Sequence, residues 1–288
     1  MNEENGLLLS HGQAEFASEP APEQPLTIEQ AIANLSGPDY GSRYYAAWWL
    51  GRFRVRSPEA VAALIATLND ESDRTPDGGY PLRRNSARAL AKLGDPQAVP
   101  ALLTCLSCTD YYVRETAAQA LGILGDQSCI EPLAALLAGG LAAAQPIPGS
   151  PHLAQPYDAV LEALGALGAI AKRPLIEPFL EHPTELVQYA AARALYQLTQ
   201  DEGYGDRLIA ALSGEKLQLR RAALADLGAI GYLKAAEPIS LTLAENSLKL
   251  IALKGVLEHH LTAIAGSIER GQLTDEARQV MELMDGLL

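Results

Sequence analysis

Leu82–Asp95 reads LRRNSARALAKLGD, and 31 residues further on Val113–Asp126 reads VRETAAQALGILGD. Arg83 falls on Arg114, Leu90 on Leu121, Gly94 on Gly125 and Asp95 on Asp126. Leu219–Gly231, LRRAALADLGAIG, returns to the theme with Arg220 and Leu227, and Tyr232 follows it. A motif recurring at a short fixed period marks stacked like units, because one helical hairpin cannot bury its apolar side alone and a neighbour can bury it. The reading is all-α: an alpha-alpha superhelix, a solenoid of helix pairs over residues 25–288.

Around that motif the apolar residues recur every three and four positions. Val61, Leu64, Ile65 and Leu68 form one stripe, Val99, Leu102, Leu103 and Leu106 a second, and Val113, Ala117, Ala120, Leu121 and Leu124 the one facing it. Pairs are expected near 43–68, 80–106, 111–137, 157–180, 184–212, 217–243 and 246–269. Glycines in the LGD endings supply left-handed stops, and Pro100, Pro132 and Pro238 sit near helix starts, where a missing amide costs little. Thr27–Leu35 predicts a short helix, and Thr274–Leu288 a capping helix with Val280, Leu283 and Met284 turned inward. Residues 1–24 are polar and without period, and are expected to form a flexible leader. Two insertions, 69–81 and 138–156, interrupt the rhythm; in repeat proteins such insertions gather as loops on one face, often the binding face.

Composition narrows the function. With 48% hydrophobic residues, 288 residues can build a sizeable core without staples. The net charge of -13 opposes nucleic acid, whose binders need basic fields to displace phosphate counterions. No apolar run reaches the roughly 18 residues of a spanning helix, and the first residues lack a secretory pattern, so neither membrane nor export is expected and the cytoplasm is. Three cysteines, an odd number, suit reduced thiols. Cys105 and Cys108 form a CxxC without a second ligand pair, and the histidines lack metal spacing, so no metal site is expected.

The repeats suggest a HEAT-like array, although 31 residues is shorter than the usual HEAT period. More specific are SRYYAAWWLGRFRV from Ser42, DESDRTPDGGYPLRRNSARALAKLGD from Asp70 and VPALLTCLSCTDYYVRETAAQALG from Val99. In that order and spacing the chain resembles the E-type (alpha) subunits of the HEAT-like bilin lyase family, over about residues 27–270. The resemblance implies a subunit that pairs with an F-type lyase subunit, the pair attaching phycocyanobilin through a thioether to a cysteine of the phycocyanin alpha subunit. It implies detachment or transfer as well, with the bilin as substrate and no resident cofactor. The alternative reading is a HEAT scaffold without enzymatic activity that binds phycobiliproteins or phycobilisome assembly or degradation factors.

An open-chain tetrapyrrole with two propionates calls for aromatic faces, fixed cations and an acidic acceptor for its ring N–H groups. Arg43, Tyr44, Tyr45, Trp48 and Trp49 share one predicted helix, where residues four apart are neighbours. That ledge holds both tryptophans of the chain. It serves equally as a ligand surface or as large rings sealing the end of the core. Arg74, Arg84, Arg88 and Arg114 supply forked donors for carboxylates, with Tyr80, Tyr111 and Tyr112 beside them. Arg83, Arg114 and Arg220, at one repeat position, also fit a structural ladder. Asp73, Asp77 and Asp110 are the candidate acids that would bond the pyrrole nitrogens and help protonate the bilin. Asp110 also fits a helix N-cap, and Asp77 a DGG turn.

Overall fold

The computed structural model describes residues 26–265 and 273–288. The leader expected over 1–24 lies outside them. Sixteen helices follow in order: α1 (Ile28–Asn34), α2 (Tyr40–Arg52), α3 (Pro58–Thr67), α4 (Pro81–Leu93), α5 (Val99–Cys105), α6 (Tyr111–Leu124), α7 (Ile130–Ala135) and α8 (Gly140–Ala143). The second half contains α9 (Tyr157–Ala166), α10 (Arg173–Ile176), α11 (Glu185–Thr199), α12 (Glu202–Ala211), α13 (Leu217–Ile230), α14 (Ala236–Leu241), α15 (Asn246–Ile264) and α16 (Asp275–Asp285).

Three helices stop as their glycines require: Gly94, Gly125 and Gly231 take φ of 73°, 74° and 63°, where a side chain would be strained; α11 ends in the same conformation at Gln200, φ 58°. Two expected pairs differ. The second member of the pair over 157–180 breaks into α10 and a 3₁₀ turn, Glu177–Glu181. Pro178 removes an amide donor from that segment and crowds the carbonyl four residues back. The expected pair over 246–269 is instead one helix, α15, as far as Ile264, with α16 docked on it.

Helices α2, α4, α6, α9, α11, α13 and α15 each pack on the next, forming one continuous layer. Glycine allows the closest approaches within it. A Cβ on Gly51 would lie 2.8 Å from Ala89 Cα, and one on Gly165 would lie 2.6 Å from Ala194 Cα. In the other layer α3 and α5, or α5 and α7, hardly meet. A tight layer beside a loose one bends the stack, so the close-packed layer is the inside of the curve. The core runs between the layers from Ala31 to Val280.

The insertions are built into this frame. In the first, Thr75 and Gly79 close a turn on each other (Thr75 amide to Gly79 carbonyl, 2.9 Å), and Gly78 takes φ of 88°. The second folds back on the solenoid. His182, buried, receives the Thr184 amide on Nδ1 at 2.9 Å, so its proton sits on Nε2 and is donated to the Ala144 carbonyl at 2.8 Å. Arg114 holds the other end through the Ala154 carbonyl at 3.1 Å. No helix among the described residues is long and apolar enough to cross a membrane.

Candidate functional site

The first insertion secures the start of α4. Tyr80, at the cap position, makes no side-chain cap, and Pro81 opens the helix. Two carboxylates from elsewhere do the capping: Asp73 Oδ2 accepts the Leu82 amide at 2.7 Å and Asp110 Oδ2 accepts the Tyr80 amide at 2.8 Å. Asp110 Oδ1 also takes the Tyr112 amide at 2.8 Å, capping α6 as its position before the helix suggests. Asp73 and Asp110 are buried in this task, so each carboxylate has a structural role beside the chemical one expected of it. Asp77 is exposed in the Thr75–Gly79 turn, where a bond from the Thr75 side chain holds its carboxyl below the usual range.

These caps aim Arg84, one turn into α4, at a cleft of about 370 Å³ between the two insertions. Asp77–Gly79 form one wall, Tyr111, Tyr112 and Arg114 another, and Ile147 to Leu153 of the second insertion the third. Arg84 Nε is 3.7 Å from Asp110 Oδ2, too long for a hydrogen bond, and its guanidinium stands 5.2 Å from the Tyr112 ring centre. Nε is buried, so it is the terminal nitrogens, which make no hydrogen bond among the described residues, that are available for a carboxylate. His152, which carries no sequence signal of its own, stacks on Tyr111 with ring centres 4.3 Å apart and planes 11° apart, and meets Tyr112 edge-on at 5.0 Å. Burial, and then Asp158 and Glu115, push the Tyr111 hydroxyl up.

The remaining expected residues divide by burial. Arg43 is buried and spends its guanidinium on the Leu35 carbonyl at 2.8 Å, Ser72 Oγ at 2.7 Å and Asp70, so it ties α2 to the first insertion and is not free for a ligand. Tyr80 is buried too, its hydroxyl on Glu71 at 2.7 Å and its ring 4.0 Å under the Arg83 guanidinium. Arg74 is exposed on the outer side of that ring at 5.8 Å and does not line the cleft. Arg114 lines the cleft but donates to the Cys108, Thr109 and Ala154 carbonyls, just as Arg220 holds the Gly214, Glu215 and Leu243 carbonyls. The ladder reading therefore describes Arg83, Arg114 and Arg220.

The aromatic ledge splits as well. Tyr44 and Trp49 pack against the core, Trp49 with Phe53 at 4.8 Å, whereas Tyr45 and Trp48 stand half exposed and stacked at 5.6 Å. The Gly51–Ala89 contact packs α2 closely on α4, the helix that carries Arg84 and Arg88. Arg88 is exposed.

Sequence reading missed the carboxylates of the inner face. Glu115 (α6), Asp158 and Glu162 (α9) and Asp226 (α13) follow one another across the layer, with Arg193 (α11) between the last two. Arg193 donates to Glu162 at 2.9 Å and Asp226 at 3.1 Å. Burial raises all four carboxyls above their ordinary range; Glu162 is pushed up to about 7 against the pull of Arg193, and Arg88 and Arg84 partly restrain Glu115. The 4, 3 and 4 spacing of 115, 119, 122 and 126, or of 158 and 162, marks these faces only once the inner layer is known. Cys105 is buried, with its thiol pushed up to about 11, and the three cysteines are free. Among the described residues no three metal-ligand side chains converge.

A family model described as PBS lyase HEAT-like repeat matches residues 42–70 and 187–214, and one for HEAT repeats matches 74–142. The phycocyanobilin lyase subunit alpha of Nostoc sp. PCC 7120 is 59% identical, covering 95% of this chain and 98% of its own. That of Synechocystis sp. PCC 6803 is 60% identical, covering 94% and 100%. Mastigocladus laminosus contributes the bilin biosynthesis protein PecE, 44% identical over 90% of this chain and 92% of its own. The structure of the complex of CpcE and CpcF of phycocyanin lyase from Nostoc sp. PCC7120 contains a chain that superposes with a TM-score of 0.84 at 58% identity, covering 94% and 98%. At that identity, over nearly the whole of both chains, this chain belongs to the family of phycocyanobilin lyase alpha subunits.

Proposed function

We propose that this chain is the E-type half of a heterodimeric lyase that, with an F-type subunit, joins phycocyanobilin through a thioether to a cysteine of the phycocyanin alpha subunit. The observation that carries the reading is a set of ligand-type side chains that make no hydrogen bond among the described residues: the stacked Tyr45 and Trp48, Arg84, whose one ion pair is long, and the exposed Arg88, together with the cleft beside Tyr112. At about 370 Å³ the cleft lies near the lower end of ligand sites, about 300–1,000 Å³, so an extended bilin lies partly in it and partly along the inner face. Arg84 and Arg88 take the propionates, Tyr45, Trp48 and Tyr112 the pyrrole faces, and Glu115 and Asp158 face the ring N–H groups. The inner layer thus adds carboxylate candidates to those of the insertion. The chain holds the pigment in reach of the acceptor thiol, and this positioning supplies much of the rate. The acidic balance opposes nucleic acid, and the free thiols suit a reducing compartment such as the cytoplasm.

The test mixes the chain, its F-type partner, phycocyanobilin and apo-phycocyanin alpha subunit, and looks for a chromophore that stays on the acceptor under denaturation. Trp48→Ala and Arg84→Gln are each expected to weaken bilin binding about 10-fold, one carboxylate contact or one aromatic face being worth about 1–2 kcal/mol, with thermal unfolding unchanged. A pair that yields no adduct above the uncatalysed background leaves the scaffold reading in its place.

A further inference from the structure

The lyase reading leaves one step without a residue: the acceptor cysteine must lose its proton before sulfur adds, and a free thiol, with a pKa of about 8.5, is mostly protonated at neutral pH. We propose that His152 is the general base that takes this proton, an assignment that rests on the lyase function above. Its imidazole hangs from the second insertion into the cleft and is fixed by the Tyr111 stack at 4.3 Å and the Tyr112 edge at 5.0 Å. The backbone of 152 is pinned independently, its amide on Ser150 Oγ at 3.2 Å and its carbonyl on the Ile147 amide at 3.1 Å. Neither ring nitrogen bonds another side chain or carbonyl among the described residues. By contrast, His182 commits both nitrogens and His260 bonds Thr274 at 2.8 Å. An oriented histidine whose nitrogens are free is the side chain best suited to proton transfer near neutrality.

The surroundings fit the product of that transfer. The charged and titratable groups facing His152 are Arg84 from α4, Asp77 from the first insertion, Asp110 at the turn before α6, and Tyr111, Tyr112 and Arg114 on α6. Two of these are cations, Arg84 and Arg114, which offset the carboxylates of Asp77 and Asp110 beside the place where a thiolate forms. In the step, the S–H bond breaks and its proton goes to the imidazole while sulfur bonds to the ethylidene carbon. The π pair of the exocyclic double bond shifts to the adjoining ring carbon, which accepts a proton back from the imidazolium. The sum is addition of a thiol across one double bond, with no leaving group and no oxidant. The fold-back of residues 138–156 onto His182 and Arg114 then has a use: it carries the base.

His152→Phe preserves the stack and removes the base. In the complete heterodimer with phycocyanobilin and apo-phycocyanin alpha subunit, single-turnover attachment at pH 7 is expected to fall about 100-fold. Bilin affinity and the unfolding temperature should not change. The defect should shrink as pH rises and the thiol ionises unaided. His152→Gln should behave alike, which guards against a misfolded aromatic variant. Attachment by His152→Phe at the wild-type rate with the wild-type pH profile overturns the proposal. So does a loss that is constant across pH and matched by weaker bilin binding, which would make His152 a packing residue. The wild-type pair is the control that separates the two ideas: an adduct from it upholds the lyase reading whatever the variants do, and none overturns both.

Discussion

Asp110 shows how a side chain expected to do chemistry also builds the frame around it. One carboxylate receives the Tyr80 amide and the Tyr112 amide, so it starts two helices at once and fixes the wall from which Arg84 projects. Asp110→Ala removes two caps worth about 1 kcal/mol each and is expected to cost roughly 2 kcal/mol in a urea titration. Arg84→Gln loses a long ion pair to the buried Asp110, whose carboxylate keeps both of its backbone donors, and is expected to cost clearly less than Asp110→Ala in the same titration. Equal losses for the two variants would mean that Arg84 is part of the frame and not a free ligand group. The cap of α6 was legible because Asp110 immediately precedes its helix. That of α4 was not, since Asp73 reaches Leu82 across a loop whose path no local pattern reveals.

At the scale of helices, the inner layer depends on small residues where neighbours touch. Gly165→Ala would ordinarily help a helix by up to about 1 kcal/mol. Here the added methyl meets Ala194 Cα at 2.6 Å, so α9 and α11 must separate. The expected sign is reversed, a loss of about 1–3 kcal/mol seen as a lower unfolding midpoint; a stabilised variant would show that the two helices are not in such close contact. Helix existence was readable from spacing because apolar residues recur every three and four positions in each unit, and the LGD stops at 93–95 and 124–126 mark two of the boundaries. The break at α10 and the unbroken run of α15 are not legible in that spacing, because the apolar stripe continues through both. The second insertion was opaque for another reason: its anchors, Ala144 on His182 and Ala154 on Arg114, lie 38 and 40 residues apart in sequence. His152 enters the cleft only through those anchors.

Across the whole molecule, curvature brings together what periodicity keeps apart. Glu115, Asp158, Glu162 and Asp226 sit on three different helices and become neighbours only because the inner layer is the tight one. No fixed residue spacing announces them. With Arg193 as the cation shared by Glu162 and Asp226, the group carries more acid than it can neutralise, and burial raises the carboxyls. For Glu162 the folded state holds the proton more tightly than the unfolded chain does. Its contribution is therefore whole below the ordinary carboxylate range and is lost as pH rises from there through about 7. The lowered carboxyls of Asp70, Glu71 and Glu245 act in the opposite sense at lower pH, so the comparison must be between variants and not between pH values alone. Glu162→Gln keeps the shape and removes the titration. Measured by chemical denaturation from pH 5 to pH 8, its stability relative to the wild type should climb with pH by on the order of 1–2 kcal/mol, partly screened by solvent. A difference that stays flat across that range would mean that Glu162 is ionised throughout and that the inner face holds no surplus of protonatable acid for a pyrrole nitrogen to meet.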